Sequence, residues 1–174
     1  TAFNNCARYG PFRDIHDLAY ISWQIDLLES IQSEIKPKKL LLKYHPKDKQ
    51  PYFLSITGIE KIIDGDFNDL IDKVDIFVFD FPGSAFSLAL ATNKPVVYFD
   101  IGFRNLFNKA LEDIRNRCIY IKTNPMNAIN GVKKLPNLFE ETKINRYTKH
   151  YCIGSDTKSR EINLVNKIKE NIIL

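Results

Sequence analysis

Three short stretches of this sequence carry residue types suited to holding a phosphorylated ligand. The first is Pro82-Gly83-Ser84-Ala85, which opens a predicted helix directly after a predicted strand. A helix N-terminus presents unpaired backbone N–H groups and a partial positive charge. Gly83 lets a phosphate approach the backbone, and Ser84 can cap the helix or donate its hydroxyl. The N–H groups of Gly83 and Ala85 would add donors. The plainer alternative is an ordinary cap after an ordinary turn. The spacing is neither G-x-G-x-x-G nor a Walker loop, so dinucleotide and ATPase readings lack support. The second stretch is His45-Pro46, with Lys47 close behind. A histidine there can hydrogen-bond to a phosphate oxygen or, protonated, neutralise it. Pro46 fixes the turn that aims it. The third is Asp100-Ile101-Gly102-Phe103-Arg104. Gly102 permits a tight turn, Asp100 suits a ribose hydroxyl or a base, and Arg104 suits phosphate. Taken singly, His45 reads equally as a solvated loop residue and Arg104 as a surface one.

These stretches make a site only if the fold brings them together. Asp14 to Ile35 reads as an amphipathic helix, with Leu18, Ile21, Ile25, Leu28 and Ile35 on one face and Pro37 ending it. Lys39 to Tyr44 has the length of a buried strand, and Tyr52 to Ile56 that of a second. Asp66 to Lys73 is a short helix with Phe67, Leu70 and Ile71 inward. Asp75 to Asp80 is the strongest strand, aromatic and β-branched in its middle. Helix Ser84 to Thr92, strand Pro95 to Asp100, helix Arg104 to Arg117 and strand Cys118 to Lys122 follow. Pro125 to Lys133, Phe139 to Lys149 and Ser159 to Ile173 read as helices. Alternating strands and helices, with strands apolar throughout, predict an α/β fold: a doubly wound, Rossmann-like parallel sheet covered on both faces. Ligands in such folds bind beyond the carboxyl ends of the strands. His45-Pro46, Asp80 to Ser84 and Asp100 to Arg104 all lie there.

The totals fit a single domain spanning 1–174. The chain has 174 residues, 44% hydrophobic and 26% charged, enough for a core and too apolar for disorder. It begins at Thr1, which reads as a piece of a longer polypeptide or a processed product. The formal net charge of +4 favours an anionic ligand, but no basic stripe or nucleic-acid module accompanies it. Cys6, Cys118 and Cys152 are odd in number and lack C-x-x-C spacing. That argues against a disulfide framework or a zinc site and for a reducing cytoplasm. No apolar run is long enough to span a bilayer, so any membrane contact is expected to be peripheral or through a part of the protein outside this sequence. His16 and His150 read as structural or surface residues, and Gly154 to Ser159 as the cap of a closing helix. The polar loop with Asn4, Asn5, Arg8, Tyr9 and Arg13 would face an interdomain cleft in a two-domain protein.

The run VDIFVFDFPGSAFSLALATNKPVVYFD resembles the C-terminal domain of CDP-glycerol glycerophosphotransferases and bacterial surface-polysaccharide transferases. Asp80, Ser84, Lys94-Pro95 and Val96 to Phe99 carry the likeness. His45-Pro46 is similar to the HP motif of bacterial sialyltransferases and Kdo-transferase-like proteins. The tail GSDTKSREINLVNKI also looks like the end of such domains. One departure is clear: the glycerophosphotransferases usually show two adjacent serines where this chain has Pro82-Gly83-Ser84, so the donor could differ. The resemblance implies one half of a GT-B fold, holding a nucleotide-activated donor, with an acceptor-binding domain before it. It implies a polysaccharide or lipid-linked acceptor, a catalytic base from that other half, and no bound metal or other cofactor. Rival readings are a nucleotide-sugar 2-epimerase and a non-catalytic assembly domain of a polysaccharide pathway. A receiver-like domain lacks the carboxylate cluster it would need.

Overall fold

The structure, a computed structural model, describes residues 17–44, 57–62, 65–102 and 105–124, together with Val132 and Leu135. Helix α1 (Asp17–Ser30) leads into β1 (Leu41–Lys43) and β2 (Glu60–Ile62). A 3-10 segment (Phe67–Lys73) precedes β3 (Phe77–Phe79). Then come α2 (Ser84–Leu90), β4 (Val96–Asp100), α3 (Asn108–Arg115) and β5 (Ile119–Lys122). Every strand pair among the described residues is parallel. β1 pairs with β2, and β3, β4 and β5 form a second sheet in that order. The fold is therefore α/β with parallel strands, compatible with a Rossmann-like layer structure. It differs from the predicted single sheet in that the described strands form two small ones.

β4 is the centre of the larger sheet, and all five of its residues are buried. Successive side chains alternate between the two faces. Val97 and Phe99 pack with Tyr20, Trp23, Leu27 and Ile31 of the α1 region. Val96 and Tyr98 pack on the opposite face with Phe86, Ala89 and Leu90 of α2 and Ile114 of α3. Strands added one after another in one direction by right-handed crossovers leave their connecting helices on one face. The 3-10 segment joins that face through Phe67 and Ile71, whereas Val132 and Leu135, beyond β5, join the α1 face.

α1 buries more than the predicted stripe. Leu28 of that stripe is buried, and Ile25 and Ile35 pack against the core, but the buried residues facing the three-stranded sheet are Tyr20, Trp23, Leu27 and Ile31, with Trp23 set edge-on against Phe99 at 5.8 Å between ring centroids. Large aromatic side chains remove more apolar area from water than Ile21 would, about 2–3 kcal/mol for each fully buried one. Ile25 and Leu28 turn instead to a smaller cluster with Leu42, Tyr44 and Ile59. One helix thus covers both sheets. Its last turn, Ile31–Ile35, widens to a π-helix closed by Lys36 N–H on the Ile31 carbonyl at 3.3 Å. Lys36 is left-handed (φ 52°), the conformation that commonly closes a helix, and Pro37 after it cannot continue the helix.

The helix predicted to start at Arg104 starts at Asn108, after an extended Phe107, and stops at Arg115. β2 was not foreseen in the sequence. The predicted elements at Tyr52 to Ile56, Phe139 to Lys149 and Ser159 to Ile173 lie outside the described residues, as does most of Pro125 to Lys133. Cys118 is free and buried; Cys6 and Cys152 lie outside the described residues. Among the described residues no helix is long and apolar enough to cross a membrane.

Candidate functional site

The carboxyl ends of β3 and β4 lie side by side. Phe79 is in register with Tyr98, which sets Asp80 level with Phe99, one residue short of Asp100. Gly83, Ser84 and Ala85 follow Asp80 in the loop and start of α2, and Gly102 follows Asp100. These sequence-predicted residues therefore share one edge of the sheet. His45, Lys47, Arg104, Asn4, Asn5 and Arg8 lie outside the described residues.

At the start of α2, the capping position belongs to Gly83 in extended conformation, with no side-chain cap. Ser84 is the first helical residue and exposed, not the cap. The Gly83 N–H is used by the turn, donating to the Phe81 carbonyl at 3.0 Å. The first bond inside the helix runs from Ser87 N–H to the Gly83 carbonyl at 3.2 Å. That leaves the Ser84 and Ala85 N–H groups with no acceptor among the described residues, as helix geometry requires of a first turn.

Two carboxylates flank this turn, one over each face of the sheet. Asp80 reaches the α1 face, where the Tyr20 hydroxyl donates to its Oδ2 at 2.7 Å and Gln24 Nε2 donates to the same oxygen. Asp100 is 9% exposed and lies with Tyr98 and Tyr120. Its Oδ1 accepts the Gly102 N–H at 3.0 Å, and its Oδ2 accepts the Tyr120 hydroxyl. Gly102 holds φ +81°, the left-handed turn for which glycine is suited. Burial raises the Tyr120 hydroxyl above the ordinary tyrosine range, and its bond to Asp100 adds to this. The Arg115 guanidinium, 4.7 Å from the Tyr120 ring centroid, acts in the opposite direction. Tyr98 is raised too, by burial and then by the charge of Asp100. The phenols thus stay donors, and the carboxylates receive them.

Tyr20, Gln24 and Tyr120 were not foreseen as part of this edge. One local signal existed: Gln24 is a polar residue inside the buried stripe of α1, 7% exposed between Trp23 and Leu27. Lys94-Pro95, by contrast, belongs to the other end of the sheet. Lys94 Nζ donates to the carbonyls of Ile71 and Val74, each at 2.6 Å, and the Pro95 carbonyl accepts the Phe77 N–H at 3.0 Å. Their role is architectural: they dock the 3-10 segment and set the register of β3 on β4.

Among the described residues, no group of three His, Cys, Asp or Glu side chains is placed to hold a metal ion. The edge instead combines unpaired backbone N–H donors with oriented carboxylate acceptors. Such a set can bind an anionic group and a hydroxyl-bearing one side by side.

No curated protein and no solved structure matches the chain. A family model does: residues 6–116 match the LIC12162 family transferase. The match runs through α3, so it includes Asp80, Ser84 and Asp100, and it spans more than half of the 174 residues. The chain belongs to the LIC12162 family of transferases.

Proposed function

We propose that this chain is the donor-binding half of a GT-B-type transferase that moves a group from a nucleotide-activated donor onto a bacterial capsule, lipopolysaccharide or teichoic-acid-type polymer. The observation that carries the reading is the pair of unpaired N–H groups at Ser84 and Ala85, flanked by Asp80 and Asp100 at the carboxyl edge of a parallel sheet. Charge builds on the leaving phosphate as transfer proceeds, and fixed dipoles and cations aimed at it lower the barrier.

The layering of the molecule supports a doubly wound reading. The 3-10 segment, α2 and α3 share one face of the three-stranded sheet, while α1 and, beyond β5, Val132 and Leu135 share the other. Helices on both faces leave the carboxyl edge of the sheet, where Asp80 to Ser84 follow β3, as the place for a ligand.

In this reading Ser84 and Ala85 hold the donor phosphates at the turn Gly83 opens. His45 assists departure of the nucleotide, and Lys47 and Arg104 neutralise its phosphates. Asp100 and Gly102 meet ribose or base. Asn4, Asn5 and Arg8 line the cleft toward an acceptor-binding domain, which supplies the catalytic base. The reaction belongs to the cytoplasmic side of the membrane, with peripheral contact at most, and needs no metal.

The test is calorimetry with CMP, CDP and UDP. Ser84→Leu and His45→Ala should each weaken binding about tenfold while leaving the melting temperature in place. A wild-type chain that binds none of the three nucleotides is a scaffold, and the proposal falls. Product analysis with an acceptor then separates group transfer from simple epimer formation.

A further inference from the structure

Asp80 has one oxygen held and one open. Its Oδ2 takes hydrogen bonds from two side chains of α1, Tyr20 and Gln24, while its Oδ1 has no partner among the described residues. The residue is half-buried, so the carboxylate keeps access to solvent. With Oδ2 fixed by two donors, the carboxylate cannot turn without breaking both bonds, so the direction of Oδ1 is set. Anchoring α1 to the sheet would require only one such donor. The second donor, Gln24, sits in the core and leaves its own Oε1 buried with no partner among the described residues, which costs stability. An arrangement that sacrifices stability to orient a charged group is characteristic of a binding site.

We infer that Asp80 is a binding residue that accepts a hydrogen bond from a hydroxyl of the donor, with Tyr20 and Gln24 as its positioning residues. The inference rests on the donor-binding reading above. The charge of Asp80 repels phosphate, so the phosphates lie toward the N–H groups of Ser84 and Ala85, and Asp80 meets a neutral, hydroxyl-bearing part. Two parts of an activated donor have that chemistry: the ribose and the transferred polyol.

The experiment compares ligands that differ by a single hydroxyl-bearing feature. CDP and UDP are measured against their 2′-deoxy and 3′-deoxy forms for the ribose arm, and CDP-glycerol against CDP for the polyol arm. Inorganic pyrophosphate reports the phosphate subsite alone. The wild type should prefer the hydroxyl-bearing ligand in one arm by about tenfold, the usual effect of a hydrogen bond to a charged acceptor. Asp80→Asn keeps an oxygen toward Tyr20 and Gln24 and thereby turns an NH2 group outward, exchanging an acceptor for a donor. It should abolish the preference, while pyrophosphate affinity stays equal or rises. Tyr20→Phe, which frees one of the two bonds on Oδ2, should reduce the preference by a smaller factor.

A wild type with no preference in either arm overturns the inference, whatever the variants do. So does an Asp80→Asn protein that melts earlier but discriminates as before. If Asp80→Asn does not fold, an unchanged preference in Tyr20→Phe overturns it. In those cases the nucleotides still bind and the donor-binding reading stands. Failure of the wild type to bind nucleotide or pyrophosphate takes both down.

Discussion

The two ends of the three-stranded sheet handle charge in opposite ways. At the amino end, cations are consumed by the protein's own backbone. Arg117, 1% exposed, donates to the carbonyls of Leu90 at 3.1 Å, Thr92 at 2.5 Å and Lys94 at 3.2 Å. Lys94 does the same for Ile71 and Val74. At the carboxyl end, the Ser84 and Ala85 N–H groups find no acceptor among the described residues, and Asp80 keeps an open oxygen. The difference follows from chain direction. Crossover helices run antiparallel to the strands, so their carbonyl ends gather at the amino edge and their N–H ends at the carboxyl edge. A buried arginine can saturate the carbonyls permanently. The opposite edge is where an anion can do the corresponding job from outside.

The largest effect expected from breaking this contrast lies at the closed end. Arg117→Met strands three carbonyls in a buried site and should cost about 4 kcal/mol of stability, read from urea unfolding. Nucleotide affinity of the folded fraction should match the wild type, because the carbonyls of Leu90, Thr92 and Lys94 that Arg117 holds lie at the amino edge. A loss below about 1 kcal/mol, or a parallel loss of affinity, would erase the distinction between the two ends.

That division was only half legible in the sequence. β3 and β4 stand out as apolar runs because strands buried on both faces carry no polar alternation. The turn at Gly102 and the helix start near Ser84 are local signals of glycine and of a small polar residue. β2 was hidden because Glu60–Ile62 carries two charges and owes its strand geometry to pairing with β1. α1 misled because it is apolar around most of its circumference, so periodicity alone could not choose between the aliphatic stripe and the one containing Tyr20 and Trp23. The bonds from Tyr20 and Gln24 to Asp80 span 60 and 56 residues, and no local pattern encodes a contact at that range. Arg117 read simply as a helix end. Its burial is a consequence of three carbonyls converging only in the folded chain.

A smaller effect sharpens the contrast through pH. Cys118 sits beside Arg117, immediately before β5. Burial pushes its thiol up from 9.0 to about 12, while the charge of Arg117 works against the shift. In the unfolded chain the thiol ionises near pH 9, whereas in the folded protein it stays protonated to about pH 12. The stability tied to the neutral thiol is therefore complete below pH 9 and is lost as pH rises toward 12, by about 1 kcal/mol per pH unit. Cys118→Ala should flatten the fall of the urea midpoint between about pH 9 and 10. Above that range Tyr98 and Tyr120, both raised by burial, add losses of the same sign. An unchanged slope in the alanine variant would locate the alkaline weakness elsewhere.

The smallest effect on stability is expected at the open end, from Gly102→Ala. An added Cβ meets nothing within 4 Å among the described residues, so the cost is that of the left-handed backbone, about 1 kcal/mol. Relief of that strain pulls φ at residue 102 away from +81° and loosens the N–H bond that the Asp100 carboxylate accepts. The carboxylate then loses one of the two bonds that orient it. If the open end is built for a ligand, this variant should weaken nucleotide binding by several-fold, about the same 1 kcal/mol, alongside a fall of only a few degrees in the melting temperature. Calorimetry and thermal unfolding on the same sample read both. A variant that loses stability but binds as the wild type does would assign the Asp100 turn to architecture, alongside Lys94 and Arg117, and leave the ligand to the turn between β3 and α2.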